Sequence, residues 1–282
     1  MASFAQLLDL IKPYRIYMKS KRLLFLTVLC SVMLTVSAQS TYTVIKVYGG
    51  IQYKSSKKPM AQGDVFTPAE PLIFGNTDSK AAVVNKEKGR FMITPPISGK
   101  LEAQPNFVPA MSNISTRAGL INNTIELKNH FSGNYLIINK VKIKISPSVY
   151  PMNDTSFFYL TYTYKDEKIN KKLAFVSDSL IIDRQSLFTI DGRPIPDPDI
   201  KEMKLYYLSG NKSVFISEFY PVFPELSTFK AETVILLNEL SGLTYNQKLD
   251  EILAYFNEWY GKPNSENVKE WLKTEFNLTP DK

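Results

Sequence analysis

Residues 157–164 read FFYLTYTY, from Phe157 to Tyr164. In an extended chain Phe157, Tyr159, Thr161 and Thr163 fall on one side, and Phe158, Leu160, Tyr162 and Tyr164 on the other. Side chains alternate with a period of two, so a strand with two usable faces belongs in the middle of a two-layer β-structure. Other β-branched and aromatic runs surround it. Tyr135 to Asn139 and Val141 to Ile145 precede it; Lys172 to Val176, Ser179 to Ile182, Leu187 to Ile190, Lys204 to Leu208 and Ser213 to Ser217 follow. Asp191-Gly192-Arg193-Pro194 supplies a turn.

Beyond these strands the apolar period changes from 2 to 3.6. Glu225 to Leu240 places Leu226, Phe229, Thr233, Leu236, Leu237 and Leu240 on one stripe. Asn246 to Tyr260 does the same with Leu249, Ile252, Leu253, Phe256 and Trp259, and Asn264 to Phe276 with Val268, Trp271, Leu272 and Phe276. Gly242 and Gly261-Lys262-Pro263 punctuate these helices, and Ser265 is the candidate cap of the third. Strands first and helices last predict an α+β fold.

Toward the N-terminus the pattern is short strands and turns. Tyr42 to Val47, Ile51 to Tyr53, Val65-Phe66, Leu72 to Phe74, Ala81 to Asn85 and Arg90 to Ile93 are separated by Gly49-Gly50, Gly63-Asp64, Gly75-Asn76 and Lys86 to Gly89. Six short strands predict a small all-β unit, an SH3-like barrel or a sandwich. The order AQGDVF (61–66) followed by LIFGNTDSKAAVV (72–84) resembles the FecR-type β domain and related bacterial SH3-like modules over about residues 41–94. Here Lys88-Gly89-Arg90-Phe91 stands where those modules carry an acidic-glycine turn. The resemblance implies a non-catalytic envelope module. Residues 95–125, with Pro95-Pro96, Pro105, Pro109 and a Ser/Asn/Thr cluster, read as a linker or as an extended segment lying on a neighbouring domain. The expected organisation is a leader over 1–38, a small β domain over 39–94, the linker, and an α+β domain over 126–282.

The leader has three parts. Lys19, Lys21 and Arg22 form a basic region, Leu23 to Val36 an apolar run, and Val36-Ser37-Ala38 a small-residue site that predicts cleavage between Ala38 and Gln39. The run is shorter than the ~20 residues a spanning helix needs, so cleavage is favoured over a retained anchor. Residues 1–17 are too apolar for an ordinary basic region, which makes Met18 a candidate start. The leader resembles those of secreted Bacteroidota proteins. Cys30, the single cysteine, lies within the run behind Leu29 and so does not fit a lipidation site.

The 282-residue chain carries 34 Lys and Arg against 27 Asp and Glu, a net +7. Removing the leader's five basic residues and Asp9 leaves 29 against 26, a net +3. No basic run or basic-aromatic ladder points to nucleic acid. One cysteine and one histidine exclude cysteine-rich zinc sites and paired-histidine motifs. His130 follows Lys128-Asn129 at an expected turn, and no nucleophile elbow accompanies it. Asp191, Asp197 and Asp199 lie in a proline-stiffened loop without the frame of a calcium site. Five glycosylation sequons, at Asn113, Asn122, Asn153, Asn211 and Asn277, occur in a chain rich in Asn, Ser and Thr, where chance explains most of them. No cofactor or metal is expected.

What remains is the aromatic surplus, 16 Tyr and 17 Phe, with Tyr206-Tyr207 and Phe219-Tyr220 as adjacent pairs. Exposed aromatics favour protein or glycan contacts; buried ones are β core. The expectation is an exported envelope protein, an accessory or scaffold subunit rather than an enzyme, that binds another envelope protein. Tyr206, Tyr207, Phe219 and Tyr220 are its candidate contacts, and it touches a membrane only through an uncleaved leader. One rival is a glycan-binding module using the same aromatics. The other is a hydrolase with two of Asp178, Asp183 and Asp191 facing each other across a cleft.

Overall fold

The computed structural model describes residues 40–110, 119–196 and 199–280. The leader with Cys30, the Ala38–Gln39 cleavage site, Asn113 and Asp197 lie outside the described residues. From Tyr42 onward the chain is one contact unit of mixed α+β class with its long helices at the C-terminus.

The N-terminal strands are β1 (Tyr42–Tyr48), β2 (Ile51–Tyr53), β3 (Val65–Phe66), β4 (Leu72–Phe74), β5 (Lys80–Asn85), β6 (Gly89–Thr94), β7 (Glu102–Ala103) and β8 (Asn106–Pro109). They form a five-stranded sheet, β3-β1-β5-β6-β8, and a three-stranded one, β2-β4-β7. Both sheets feed one core: Val44, Ala81, Val83 and Ile93 from the first, Ile51, Leu72 and Phe74 from the second. No closed barrel forms; the two sheets pack as open layers. Within residues 95–125, β7 pairs with β4, β8 pairs with β6, and a helix begins at Thr124.

β5 is buried on both faces. Ala81 and Val83 enter the sheet core, while Ala82 and Val84 join Ile45 against the C-terminal helices. Alternation turns Ile45 to the opposite side from Val44, and the register shift between Val44 and Lys46 puts Lys46 on that helix side too. The N-terminal strands and the C-terminal helices therefore share a core.

The second half begins with α1 (Thr124–His130), capped by Asn123, and continues with β9 (Asn134–Leu136), β10 (Lys140–Lys144), β11 (Phe157–Tyr164), β12 (Glu167–Lys172), β13 (Ala174–Val176) and β14 (Ser179–Asp183). Then come α2 (Arg184–Leu187), β15 (Thr189–Ile190), β16 (Arg193–Pro194), β17 (Met203–Ser209) and β18 (Lys212–Val222). The central sheet runs β12-β11-β17-β18-β9, with only β9 parallel to its neighbour; β10-β14-β13 is a separate layer. Phe158, Leu160 and Tyr162 of β11 point into the same core as Val141, Ile143, Leu180 and Ile182 of that layer.

Two sequence expectations are corrected here. Lys172 to Val176 is not one strand, because Leu173 turns into the core between β12 and β13. Leu187 to Ile190 is mostly not strand either: the Asp183 carboxylate accepts from Ser186 N and caps the short α2, leaving only Thr189–Ile190 extended.

Three helices close the fold: α3 (Leu226–Glu239), α4 (Tyr245–Tyr260) and α5 (Ser265–Phe276). Thr244 and Gln247 form a capping box on α4. The cap of α5 is Asn264, not Ser265; its side chain accepts from Asn267 N at 3.1 Å, while Ser265 is the first helical residue. α4 ends at Gly261, at φ 99°, where an added Cβ would lie 2.5 Å from the Asn134 carbonyl oxygen. Only glycine fits that approach to β9.

Charge is buried at the seam between helices and sheet. Glu232, 1% exposed, accepts from Tyr255 Oη at 2.8 Å, Tyr260 Oη at 2.5 Å and Lys46 Nζ at 3.0 Å. Burial first, and then Glu232, keeps both phenols protonated far above their ordinary range. Arg90 meets Glu251 at 3.0 Å and Glu258 at 2.9 Å on α4.

Candidate functional site

The outer face of the central sheet carries aromatic side chains that the core does not use. Cross-strand pairing sets Tyr159 beside Tyr206 and Tyr206 beside Phe215. The two tyrosine rings lie 5.2 Å apart with planes 12° from parallel, and the Phe215 ring meets Tyr206 edge-on at 5.5 Å. Tyr159 Oη and Ser213 Oγ are 2.5 Å apart. Phe157, paired with Leu208, extends the row, with Lys172 Nζ 4.2 Å above its ring. Phe215 is 49% exposed.

A bulge makes this row possible. Leu205 pairs with Ser217 but Tyr206 with Phe215, so Ile216 is an extra residue in β18. Without it, the alternation that sends Phe219 and Ser217 inward would send Phe215 inward too.

One end of the row opens into a polar groove of about 650 Å³ that includes Thr161, Thr163, Lys168, Glu202, Lys204 and Tyr206. Lys204 spans Glu202 at 2.8 Å and Glu218 at 3.4 Å, and the Glu202 hydrogen bond leads in raising its pKa. Aromatic rings thus sit beside a mixed set of donors and acceptors.

The four candidate contact residues divide between the two faces. Tyr206 is on the aromatic row and Tyr220 is exposed on the same face. Tyr207 and Phe219 are core residues, which corrects their expected exposure. Tyr207 Oη donates to the Pro151 carbonyl at 2.7 Å, and Phe219 is fully buried against Phe131 and Tyr135. Neighbours on one strand point to opposite faces, so each adjacent pair could offer only one member. Phe157 and Tyr159 were legible from the alternation of FFYLTYTY; the outward turn of Phe215 depends on the bulge.

His130 closes α1 rather than standing in a free turn. Its Nε2 is 2.7 Å from Tyr135 Oη, and burial, followed by the Lys262 ammonium, pushes the imidazole down to about 4. Burial also raises the Tyr135 phenol, so a neutral ring and a protonated phenol share this hydrogen bond. The candidate acids have local roles. Asp183 caps α2, Asp178 accepts from Ser179, and Asp191 occupies a turn at φ 48°. No group of three metal-ligating side chains occurs among the described residues.

No protein-family model matches the chain, and no curated protein matches it significantly.

Proposed function

We propose that this chain is an exported, non-enzymatic envelope protein, an accessory or scaffold subunit that binds another envelope protein through the outer face of its central sheet. The observation that carries the reading is the outward-facing row of Phe157, Tyr159, Tyr206 and Phe215, of which Phe215 is exposed and the other three are half-buried. Rigid aromatics lose little entropy on binding and concentrate interface energy, and a sheet holds them in fixed register. The leader and the resemblance of residues 41–94 to FecR-type and SH3-like modules supply the envelope setting.

The groove beside Tyr206 favours a second reading, a glycan stacked on the aromatic row with its hydroxyls in the groove. Affinity purification of the tagged protein from crosslinked cells separates the two. A stoichiometric envelope protein that is lost in the Tyr159→Ala/Tyr206→Ala variant supports the first reading. A glycan-array signal lost in the same variant, with no protein recovered, supports the second. Recovery of the same partner by wild type and variant alike removes the aromatic face from the account.

A further inference from the structure

A second cavity, of about 690 Å³, lies away from the aromatic face, between β10 and α5. The alternation of β10 buries Val141 and Ile143 and leaves Lys142 and Lys144 exposed. Facing them on α5 are Glu266, Lys269, Glu270 and Lys273, spaced so that they share one side of the helix. Lys269 pairs with Glu266 at 2.7 Å and Lys142 with Glu270 at 3.4 Å. Lys144 and Lys273 line the cavity and form no ion pair among the described residues. Leu120, Leu278 and Pro280 give the remaining wall an apolar stretch, beside polar His130, Ser179, Asn264 and Asn267. A smaller cavity of about 360 Å³ shares Leu120, His130 and Asn264 with it and adds Lys262.

Two ammonium groups without an ion-pair partner in a cavity with an apolar stretch are complementary to a molecule with an anionic head and an apolar body. A free inorganic anion would leave the apolar wall unused, and a neutral chain would leave the lysines unpaired. We propose that this cavity binds a single-chain anionic amphiphile, a long-chain carboxylate, with its head at Lys144 and Lys273 and its chain against Leu120, Leu278 and Pro280. The site is independent of the aromatic face and requires no protein partner.

The test uses the full chain, expressed with its own leader and purified as the cell processes it. Titration with the fluorescent fatty acid dansylaminoundecanoate is followed by competition with palmitate, hexadecanol or inorganic phosphate. The proposal expects saturable binding displaced by palmitate and at least about tenfold less effectively by hexadecanol, since the charge-assisted contacts are missing. Inorganic phosphate is expected not to compete. Lys144→Glu/Lys273→Glu, two exposed positions, is expected to weaken binding by about tenfold or more while the thermal midpoint stays near that of wild type. Leu278→Asp provides a second, half-buried variant with the same expectation for binding. Failure of the probe to bind overturns the proposal. Hexadecanol or phosphate competing as well as palmitate also overturns it, as does undiminished binding in both variants, which would place the probe elsewhere, the leader included.

Discussion

Two aromatic regions of this chain are built from similar residues and put to opposite uses. At the seam, Phe229, Tyr255, Phe256 and Tyr260 pack around Glu232, and both phenol hydroxyls and Lys46 converge on that one carboxylate. On the outer sheet face, Phe157, Tyr159, Tyr206 and Phe215 form a row that meets Lys172 and Ser213 and takes no part in the core. The seam spends its aromatics on joining sequence-distant segments; the sheet face leaves its aromatics available. The same residue types therefore predict stability loss in one place and binding loss in the other.

The largest expected effect is at Glu232. Glu232→Ala removes the acceptor of the buried Tyr255 hydroxyl and of the half-buried Tyr260 hydroxyl and Lys46 ammonium, a loss of about 3–5 kcal/mol that urea denaturation will measure. A loss below about 1 kcal/mol would mean that the seam relaxes and is no different from the sheet face.

Next is His130. Its folded pKa is depressed, so below about 6.5 the unfolded chain binds the proton more readily than the folded one. The contribution is complete above about 6.5 and is lost as pH falls toward 4, amounting to about 3 kcal/mol across that window. His130→Gln removes that slope. Glu225, an exposed helix cap whose carboxyl is held down to about 2 chiefly by its Ser227 hydrogen bond, titrates in a separate window below 4.5. Stability measured at several pH values between 7 and 4 checks the assignment.

Gly261→Ala sharpens the comparison from the backbone side. The position combines positive φ with a close approach to Asn134, so a loss of about 1–3 kcal/mol is expected by thermal unfolding. Smallest is the outer face. Tyr206→Ala forfeits one stacked pair and one edge contact, about 0.5–1.5 kcal/mol, and its main expected consequence is loss of the bound partner.

Much of this was legible in the residues. Ile51–Tyr53, Val65–Phe66, Leu72–Phe74 and Phe157–Tyr164 have the expected bounds, because glycine, proline and Asx turns or strict alternation delimit them. The three C-terminal helices follow their 3.6 stripes to within a residue or so at either end. The misreadings have physical causes. Most of β12 is not legible as a strand because its charged residues show no apolar alternation, yet β12 pairs along β11 as an edge strand. α2 is too short to show a period. Nothing in the helical stripe singles out Glu232, whose partners Lys46, Tyr255 and Tyr260 come together only in the fold, Lys46 from a strand 186 residues away. At the candidate face, alternation required that Tyr206 and Tyr207 differ, but the extra residue at Ile216 decided the direction of Phe215.

The most direct test places a photo-crosslinking amino acid at Tyr206 and, as a control, at Ile125, which is 72% exposed on α1 and takes no part in the aromatic row. Irradiation of intact cells is predicted to give one adduct of defined mass from position 206 and none from position 125. Equal adducts from both positions, or none from position 206 with the protein folded and exported, would contradict the claim that the outer aromatic face is the binding surface.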